Sequence, residues 1–403
     1  MRGLSTIEAA AVQQAGTQPM LDQVQAWAAI NSGSRNLAGL AEMARIYADA
    51  FAALPGEVRL LDPTPVDAME PNGSLKSLLH GQNLHVRVRP EAPVQLLFTG
   101  HMDTVFGTDH PFQALAWREE GVLNGPGVAD MKGGIAVMLA ALKAVEASEA
   151  AARIGYEVVI NSDEEVGSAG SAALIAEAAR GKLAALTYEP AALPDGTLAG
   201  ARPGSGNFSI FIEGRSAHAG RNPEDGRNAI VAAADLTLRL AAIKGPQLSV
   251  NPARIEGGSP NNVVPDRAVL RINMRPRTIE DQQRAQAALD AAVAAVAAAH
   301  DVRIHLHGGF ARPPKPIDGQ AQKLFELVRR CGADLGQDIS WRDSGGVCDG
   351  NNIAACGVPV VDTMGVRGGA IHSEDEYLIA ASLPERAQLS ALTILRLASG
   401  ALS

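Results

Sequence analysis

The chain has 403 residues, of which 46% are hydrophobic, and this length suffices for two ordinary domains, each with its own core. Its formal net charge is −9 and no cluster of lysine and arginine stands out, which argues against nucleic acid or an anionic membrane as a partner. The 3 cysteines lack Cys-x-x-Cys spacing, which argues against a disulfide framework and a cysteine zinc site.

The N-terminal segment and the apolar stretches predict a cytoplasmic protein. Residues 1–20 carry Glu8 where a signal peptide would have its apolar core. The longest strongly apolar stretches are shorter than a membrane span, and the Ala-rich stretch 286–299 is typical of a soluble helix. We therefore expect no membrane partner.

The first two hundred residues predict a sheet covered by helices. Residues 20–55 follow a helical pattern, after which β-like runs alternate with amphipathic helices. The strand patterns are 93–100, 154–162 and 183–190, and the helical patterns between them are 133–148 and 169–180. Such alternation is typical of a mostly parallel sheet.

The pattern changes after the Gly- and Pro-rich stretch 199–207. The next hundred residues predict the order β-α-β-β-α-β, at 208–214, 226–243, 248–258, 267–276, 279–300 and 302–309. After the proline-rich stretch 311–318, helix and strand alternate again. We therefore predict an α/β fold with a mostly parallel-sheet catalytic domain (1–206 and 312–403), interrupted by a two-layer α+β domain at 207–311.

Polar residues follow the predicted strand at 93–100. The segment TGHMDTVF (99–106) contains His101 and Asp103, and alternate residues of an extended segment point to the same side. In an open α/β sheet, ligands bind at the carboxyl ends of the strands. A carboxylate can also fix the tautomer of a metal-bound histidine. His101 and Asp103 are therefore site candidates, although a lone His-x-Asp pair is also typical of an ordinary salt bridge.

Asp130 is a second candidate, in NGPGVADMKGG (124–134). The glycines let the backbone turn sharply before the following helix. A plain helix N-cap is the alternative role for this aspartate. A cap requires neither this density of glycine nor the accompanying Lys132.

Carboxylates also collect at the ends of the next two strands. NSDEEVGS (161–168) places Asp163, Glu164 and Glu165 in a row, where a solvated acidic turn is the alternative. Glu189 ends the following strand in TYEP, and His372 lies in GGAIHSEDEY (368–377). Since each of these segments follows a strand-like run, we expect their side chains to converge on one edge of the sheet.

Together, these candidates predict a catalytic metal centre. Sets of histidine and carboxylate with oxygen in the majority suit zinc or similar divalent ions, and one aspartate can bridge two of them. Glu164 lies beside the ligand set without belonging to it, which favours it as the general base. The ligand candidates are His101, Asp130, Glu165, Glu189 and His372.

Seven motifs, in this order, resemble those of the dinuclear zinc aminohydrolases of peptidase family M20. That family includes glutamate carboxypeptidase, aminoacylase, acetylornithine deacetylase and succinyl-diaminopimelate desuccinylase. The motifs lie within about residues 95–378 and read GHMDTV, GPGVADMKGG, NSDEEVGS, EP, SAHAG, NVVP and GGAIHSEDEY. Glutamate at position 189 looks more like the glutamate-carboxypeptidase and aminoacylase side of the family.

The resemblance implies a role for each metal-site residue. His101 and Glu189 would hold one Zn²⁺ and Glu165 and His372 the other, with Asp130 bridging both and Co²⁺ or Mn²⁺ as substitutes. Asp103 would orient His101, and Glu164 would be the general base. Asp163 is left without a role beyond a structural hydrogen bond.

The resemblance also assigns the inserted domain as a lid through which two chains form a homodimer. His218 would reach the partner subunit's site and polarise the scissile carbonyl, while Asn262 and Arg275 would bind a substrate carboxylate. The loop SGGVCDGN (344–351) would line the substrate pocket, with Cys348 where serine is more usual. Gly368 and Gly369 would let the backbone approach the substrate closely.

The implied activity is metal-dependent cleavage, by a dizinc-activated water, of the amide bond of a C-terminal, glutamate-like amino acid. The substrate would be a small peptide or an N-acyl amino acid. Deacylation of N-acyl amino acids is the alternative activity. A binding protein that keeps the fold without catalysis is a third reading, which the complete set of ligands and Glu164 disfavours.

Overall fold

The computed structural model describes residues 3–402, and within them the chain forms ten α-helices and eighteen β-strands. The helices are α1 (Thr6–Gly16), α2 (Met20–Ala28), α3 (Leu37–Phe51), α4 (Gly134–Glu146), α5 (Ala172–Ala179), α6 (Ala229–Ala242), α7 (Ile279–His300), α8 (Gly319–Leu335), α9 (Asp349–Ala355) and α10 (Ser382–Ala398). The strands are β1 (Glu57–Leu61), β2 (Val66–Met69), β3 (Leu75–Leu78), β4 (Asn83–Val88), β5 (Val94–His101), β6 (Ala116–Glu119), β7 (Val122–Asn124), β8 (Ile154–Asn161), β9 (Ala184–Thr187), β10 (Leu198–Ala199), β11 (Ser205–Glu213), β12 (Leu248–Gly257), β13 (Arg267–Pro276), β14 (Arg303–Arg312), β15 (Trp341–Arg342), β16 (Val360–Val361), β17 (Gly368–Gly369) and β18 (Tyr377–Ile379).

The largest sheet positions the candidate site. Its strand order is β1-β4-β8-β5-β9-β16, in which β4 runs opposite to its neighbours and the other adjacent pairs are parallel. The predicted α/β fold with a mostly parallel sheet is thereby confirmed. Because β5, β8 and β9 point the same way, the residues that follow them meet at one edge of the sheet.

Helices cover both faces of this sheet. Phe98 of β5 packs into the core formed with α1, α2, α3, α4, α8 and α10, while its neighbour Leu97 packs against α5 and α9. Successive side chains of a strand point to opposite faces, so a sheet covered on both sides needs the continuous apolar runs seen in the sequence. Each large apolar side chain buried in this way contributes about 1.5–3 kcal/mol.

The predicted helical region 20–55 is interrupted. Helix α2 ends at Ala28 and α3 begins at Leu37, and Asn36 caps α3 by accepting the backbone N–H of Gly39 at 3.2 Å. Between the two helices, the backbone N–H of Ser34 donates to the carbonyl of Thr104 at 3.1 Å. The break therefore places this segment against the strand-end loop that follows β5.

The inserted region forms a four-stranded antiparallel sheet of order β12-β13-β11-β14. Helices α6 and α7 pack on one face, where Ile210 and Leu270 meet Leu236 and Leu289. Its first strand begins at Ser205 and its last ends at Arg312, close to the predicted limits of 207 and 311. We refer to residues 205–312 as the lid.

The two segments that connect the lid to the rest of the molecule are hydrogen-bonded to each other. Arg202 and Lys315 exchange backbone hydrogen bonds of 2.9 and 3.0 Å. The side-chain amide of Asn351 donates to the carbonyls of both Pro203 (2.9 Å) and Pro313 (2.8 Å). These contacts hold the two connecting segments together at one point, and we refer to this junction, residues 202–203, 311–315 and 351–352, as the hinge.

The hairpin β2–β3, which the sequence patterns did not predict, lies against the lid sheet on the face opposite α6 and α7. The side chain of Arg271 donates to the backbone carbonyl of Met69 at 2.8 Å. The ring of His307 donates to the backbone carbonyl of Asp67 at 2.9 Å. At the other end of the hairpin, the N–H of Thr64 donates to the carbonyl of Gly170 at 2.8 Å. The hairpin therefore bridges the lid and the acidic turn.

Within residues 3–402, no helix combines the length and the apolar character needed to cross a membrane.

Candidate metal centre

Asp130 lies between two histidines. Its Oδ1 is 3.1 Å from Nε2 of His101, and its Oδ2 is 3.2 Å from Nε2 of His372. Each imidazole also faces a second carboxylate: Oε2 of Glu189 is 3.7 Å from His101, and Oε2 of Glu165 is 3.1 Å from His372. The structure thus brings the five predicted ligands together, with Asp130 in the middle.

The donor atoms are close enough to share metal ions. In the described part of the chain, two overlapping groups have donor atoms within 4.8 Å of one another. One contains His101, Asp130 and Glu165, and the other contains His101, Glu164 and Glu189. A set of two imidazoles and several carboxylates, without cysteine, has the composition of a catalytic site for zinc or a similar ion.

The orientation of His101 directs one nitrogen into this cluster. Its Nδ1 lies 2.9 Å from the backbone carbonyl of Asp103 and 3.4 Å from the Asp103 carboxylate. A carbonyl can only accept, so Nδ1 carries a proton, and this hydrogen bond turns Nε2 toward Asp130. Asp103 therefore orients His101 chiefly through its backbone carbonyl. From the sequence, we expected its carboxylate to do so.

The Asp103 carboxylate organises the acidic turn instead. It accepts the backbone N–H groups of Glu164 and Glu165 at 3.1 and 3.2 Å, and the hydroxyl of Ser34 at 2.7 Å. Asp163 accepts the N–H of Gly170 and the hydroxyl of Ser171, both at 2.6 Å. These bonds agree with the structural hydrogen bond expected for Asp163.

Glu376 holds the loop that carries Asp130. Its buried carboxylate accepts the backbone N–H groups of Gly127, Ala129 and Asp130 at 3.0–3.2 Å. Gly127 has φ +72°, in the left-handed region that glycine adopts without strain. Sequence reasoning missed Glu376, whose available signal was its place in the motif GGAIHSEDEY.

Electrostatics favour a cation in this cluster. Burial, reinforced by the neighbouring Asp130, raises the pKa of Glu165 and of Glu189 to about 7. Burial likewise raises the pKa of Glu164 to about 8, against the opposing effect of Arg312. Since crowded buried carboxylates repel one another, dications would offset that repulsion. The donor set therefore fits a pair of divalent ions.

His218 and Asn262 are both exposed on the surface of the lid. Nδ1 of His218 accepts the N–H groups of Gly220 and Arg221 at 3.1 and 3.2 Å. The backbone of His218 forms an isolated antiparallel bridge with Val263. Asn262 is exposed on the adjoining segment. Among residues 3–402, no hydrogen bond joins either side chain to the predicted ligands of the same chain.

Arg275 reaches from the lid to the loop 344–351. Its Nη1 donates to the carbonyl of Gly345 at 3.0 Å and its Nε to Oδ1 of Asn273 at 3.1 Å. On the same loop, Cys348 is buried with its thiol donating to Asp362 at 3.5 Å, and burial raises the pKa of the thiol well above its ordinary value. Cys348 is thus a packed, protonated residue of this loop.

Gly368 and Gly369 form β17, which pairs with β18. A Cβ at Gly368 would overlap the carbonyl oxygen of Tyr377, so the neighbouring strand already requires glycine there. Contact between these glycines and a substrate stays a prediction.

The chain is similar to known proteins along most of its length. A model of peptidase family M20/M25/M40 matches residues 97–396. Carboxypeptidase G2 of Pseudomonas sp. (strain RS-16) is 31% identical over 331 residues, which cover 80% of this chain and 79% of that protein. A succinyl-diaminopimelate desuccinylase of Ectopseudomonas mendocina (strain ymp) is 28% identical over 328 residues, with coverages of 75% and 82%.

The fold is shared with solved structures as well. The crystal structure of a dinuclear metal-binding peptidase of family M20 from Bacillus subtilis aligns with a TM-score of 0.65 at 18% identity, covering 95% of this chain and 98% of that chain. The family match spans well over half of the sequence and includes every predicted ligand. The chain therefore belongs to peptidase family M20/M25/M40 and is a metallohydrolase.

Proposed function

We propose that this enzyme is a carboxypeptidase that removes a C-terminal, glutamate-like amino acid from a small peptide or N-acyl substrate. The observation that carries the proposal is Asp130 between His101 and His372, with Glu164 beside them. The similarity to carboxypeptidase G2 supports the same reaction.

Two Zn²⁺ ions, or Co²⁺ or Mn²⁺ in their place, would be held by the five ligands. His101 and Glu189 face one side of Asp130 and His372 and Glu165 the other, which supports one ion on each side. When bound, the ions supply Lewis acidity and lower the pKa of water.

Glu164 is the proposed general base. Glu164 is 7% exposed, and burial raises its pKa above the ordinary value, which makes the ionised carboxylate a stronger base than an exposed one. It takes a proton from the attacking water and delivers it to the leaving nitrogen, which prevents expulsion of an unprotonated amide anion.

Arg275 and Asn262 are the proposed binders of the substrate's terminal carboxylate. A guanidinium offers two parallel N–H donors that match a carboxylate. Arg275 donates to Gly345 of the loop 344–351, and this contact supports a position between the lid and the proposed substrate pocket. Gly368 and Gly369 would line the same pocket with backbone.

We also propose that two chains pair through the lid. On α6, Val231 is 51% exposed and Leu238 is 72% exposed, and this helix packs beside the edge strand β12. Exposed aliphatic side chains next to an unpaired strand edge favour an interface. A dimer would let the exposed His218 serve the partner subunit's site. Light scattering of the purified protein tests the pairing, and a monomer at micromolar concentration would contradict it.

Deacylation of N-acyl amino acids is the second candidate, favoured by the similarity to the desuccinylase. A panel of dipeptides, N-acyl glutamates and N-acetyl or N-succinyl amino acids, assayed with zinc by release of free amine, separates the two. Fastest turnover of C-terminal glutamate substrates supports the carboxypeptidase. If instead the turnover rate depends on the acyl group and is similar for different amino-acid side chains, the deacylase is favoured.

A further inference from the structure

Arg312 contacts the proposed general base from the end of the lid. It is the last residue of β14 and is 6% exposed. Its Nη2 forms an ion pair of 2.7 Å with Oε1 of Glu164 and donates to the Glu164 backbone carbonyl at 3.2 Å. Arg312 thus holds both the side chain and the main chain of Glu164.

The guanidinium is itself fixed in place. Nη2 also donates to the hydroxyl of Ser168 at 2.8 Å and lies 3.3 Å from Oδ1 of Asp349, with which it forms an ion pair. Along the chain, Pro313 and Pro314 follow directly, and the Pro313 carbonyl accepts from Asn351 at 2.8 Å. The position of Arg312 is therefore set by the hinge as well as by its side-chain partners.

Glu164 has few other restraints on its carboxylate. No donor among residues 3–402 reaches its buried Oε1 with hydrogen-bond geometry, so the 2.7 Å contact with Arg312 is an electrostatic one. Its backbone is well held, since Asp103 accepts its N–H and Gly167 donates to its carbonyl at 2.9 Å. A side chain that must receive and deliver a proton needs a defined position, and a close ion pair with a fixed guanidinium favours one.

We propose that Arg312 is a positioning residue that holds the carboxylate of Glu164 for proton transfer and ties that position to the hinge of the lid. Arg312 acts through Glu164 and not on the substrate. This inference rests on the proposed role of Glu164 as general base.

The first test compares Arg312→Met and Arg312→Lys with wild type. We expect Arg312→Met to lower kcat by roughly 10–100-fold, the usual effect of removing a partner that orients a catalytic group, with KM changed less than about threefold. Zinc content and melting temperature are measured on each protein. Arg312→Lys keeps the charge and should recover part of kcat.

Asn352→Ala is the matched control. Asn352 donates to the carbonyl of Ala311 at 3.1 Å, so this variant removes a hinge contact one residue away without touching Glu164. Its kcat should stay close to that of wild type. An equal loss in Asn352→Ala and Arg312→Met would show that hinge disruption explains the effect, and would overturn the inference.

A double-mutant cycle separates positioning from general damage. In a Glu164→Gln background, Arg312→Met should lower the residual kcat by less than about twofold, because Arg312 acts through a group already removed. A further loss as large as in the wild-type background would overturn the inference. If Arg312→Met does not fold, the cycle is run with Arg312→Lys, and the same comparison decides.

The cycle also distinguishes this inference from the proposed function. If Glu164→Gln keeps wild-type kcat, the role of Glu164 fails and the inference falls with it. In the other outcome, Glu164→Gln is inactive, while Arg312→Met is folded, binds zinc and keeps wild-type kcat. The role of Glu164 as general base is then supported, and Arg312 is not its positioning residue.

Discussion

The carboxylate of Asp103 accepts the backbone N–H of Glu164 at 3.1 Å, across 61 residues of sequence. The same carboxylate accepts the N–H of Glu165, a predicted ligand. Asp103 therefore links the loop after β5 to the acidic turn after β8, and its own carbonyl orients His101. One residue arranges groups on two strands of the site.

We predict that Asp103→Ala lowers zinc affinity by roughly 10–100-fold, because the turn carrying Glu165 loses its buried acceptor. Competition with a chromophoric chelator measures the affinity. Asp109→Ala, at an exposed aspartate in the same loop region, should bind zinc like wild type. Equal affinities for all three proteins would remove this role of Asp103.

Glu164→Gln should retain about two zinc ions per chain while turnover falls by roughly 10²–10⁴-fold, the contribution typical of a general base. Glutamine has a similar shape but cannot take the proton. Elemental analysis and amine release are measured on the same preparation. Substantial turnover in a zinc-loaded variant would exclude Glu164 as the base.

Arg275→Ala should raise KM for substrates with a free C-terminal carboxylate by roughly 10–100-fold, since a hydrogen bond to a charged group contributes about 1.5–3 kcal/mol. Substrates with an amidated C-terminus should be affected much less. The comparison uses initial rates for matched acid and amide pairs. An unchanged KM for the acid would contradict carboxylate recognition by Arg275.

Removal of metal should abolish activity and lower the melting temperature, because the buried carboxylates around Asp130 then lack their counter-ions. Dialysis against a chelator followed by titration with Zn²⁺ is the experiment, read by differential scanning calorimetry and by turnover. Both quantities should recover together. Full activity at less than about 0.1 metal per chain would contradict a metal-dependent reaction.

The buried Asp362 should make stability depend on pH. Burial opposes ionisation, but Arg202 at 2.7 Å and Lys315 at 3.2 Å hold the pKa of this carboxyl below its ordinary value. A carboxyl whose folded pKa is depressed contributes stability that is present above its unfolded pKa of about 4 and lost as pH falls through the folded value.

Asp362→Asn should therefore destabilise the protein by about 3–5 kcal/mol near neutral pH, since it leaves buried cations unpaired, and by progressively less below about pH 4. Denaturant unfolding across that range measures the difference from wild type. The exposed Asp338→Asn is the control and should show little effect. A difference that stays constant down to acid pH would contradict the depressed pKa.

Much of the fold and the ligand set could be predicted from the sequence. The order β-α-β-β-α-β of the lid follows from local periodicity, and α7 has the predicted bounds of 279 and 300. His101 and Glu189 were identified because polar residues after buried strands meet at one sheet edge, and Asp130 because of the glycine-rich turn around it. The sequence pattern favoured Glu165 as a ligand and Glu164 as the base, and the family resemblance implied the same assignments, which stay predictions.

Tertiary structure alone decided which distant groups support these residues. Glu376 binds the N–H of Asp130 from 246 residues away, and Arg312 reaches Glu164 across 148 residues. The contact of the hairpin β2–β3 with the lid sheet was likewise not predicted. Periodicity reports which face of an element is buried, whereas a hydrogen-bond partner is fixed only when separate elements have packed. The sequence by itself therefore determined the kind of site, and packing determined what holds it in place.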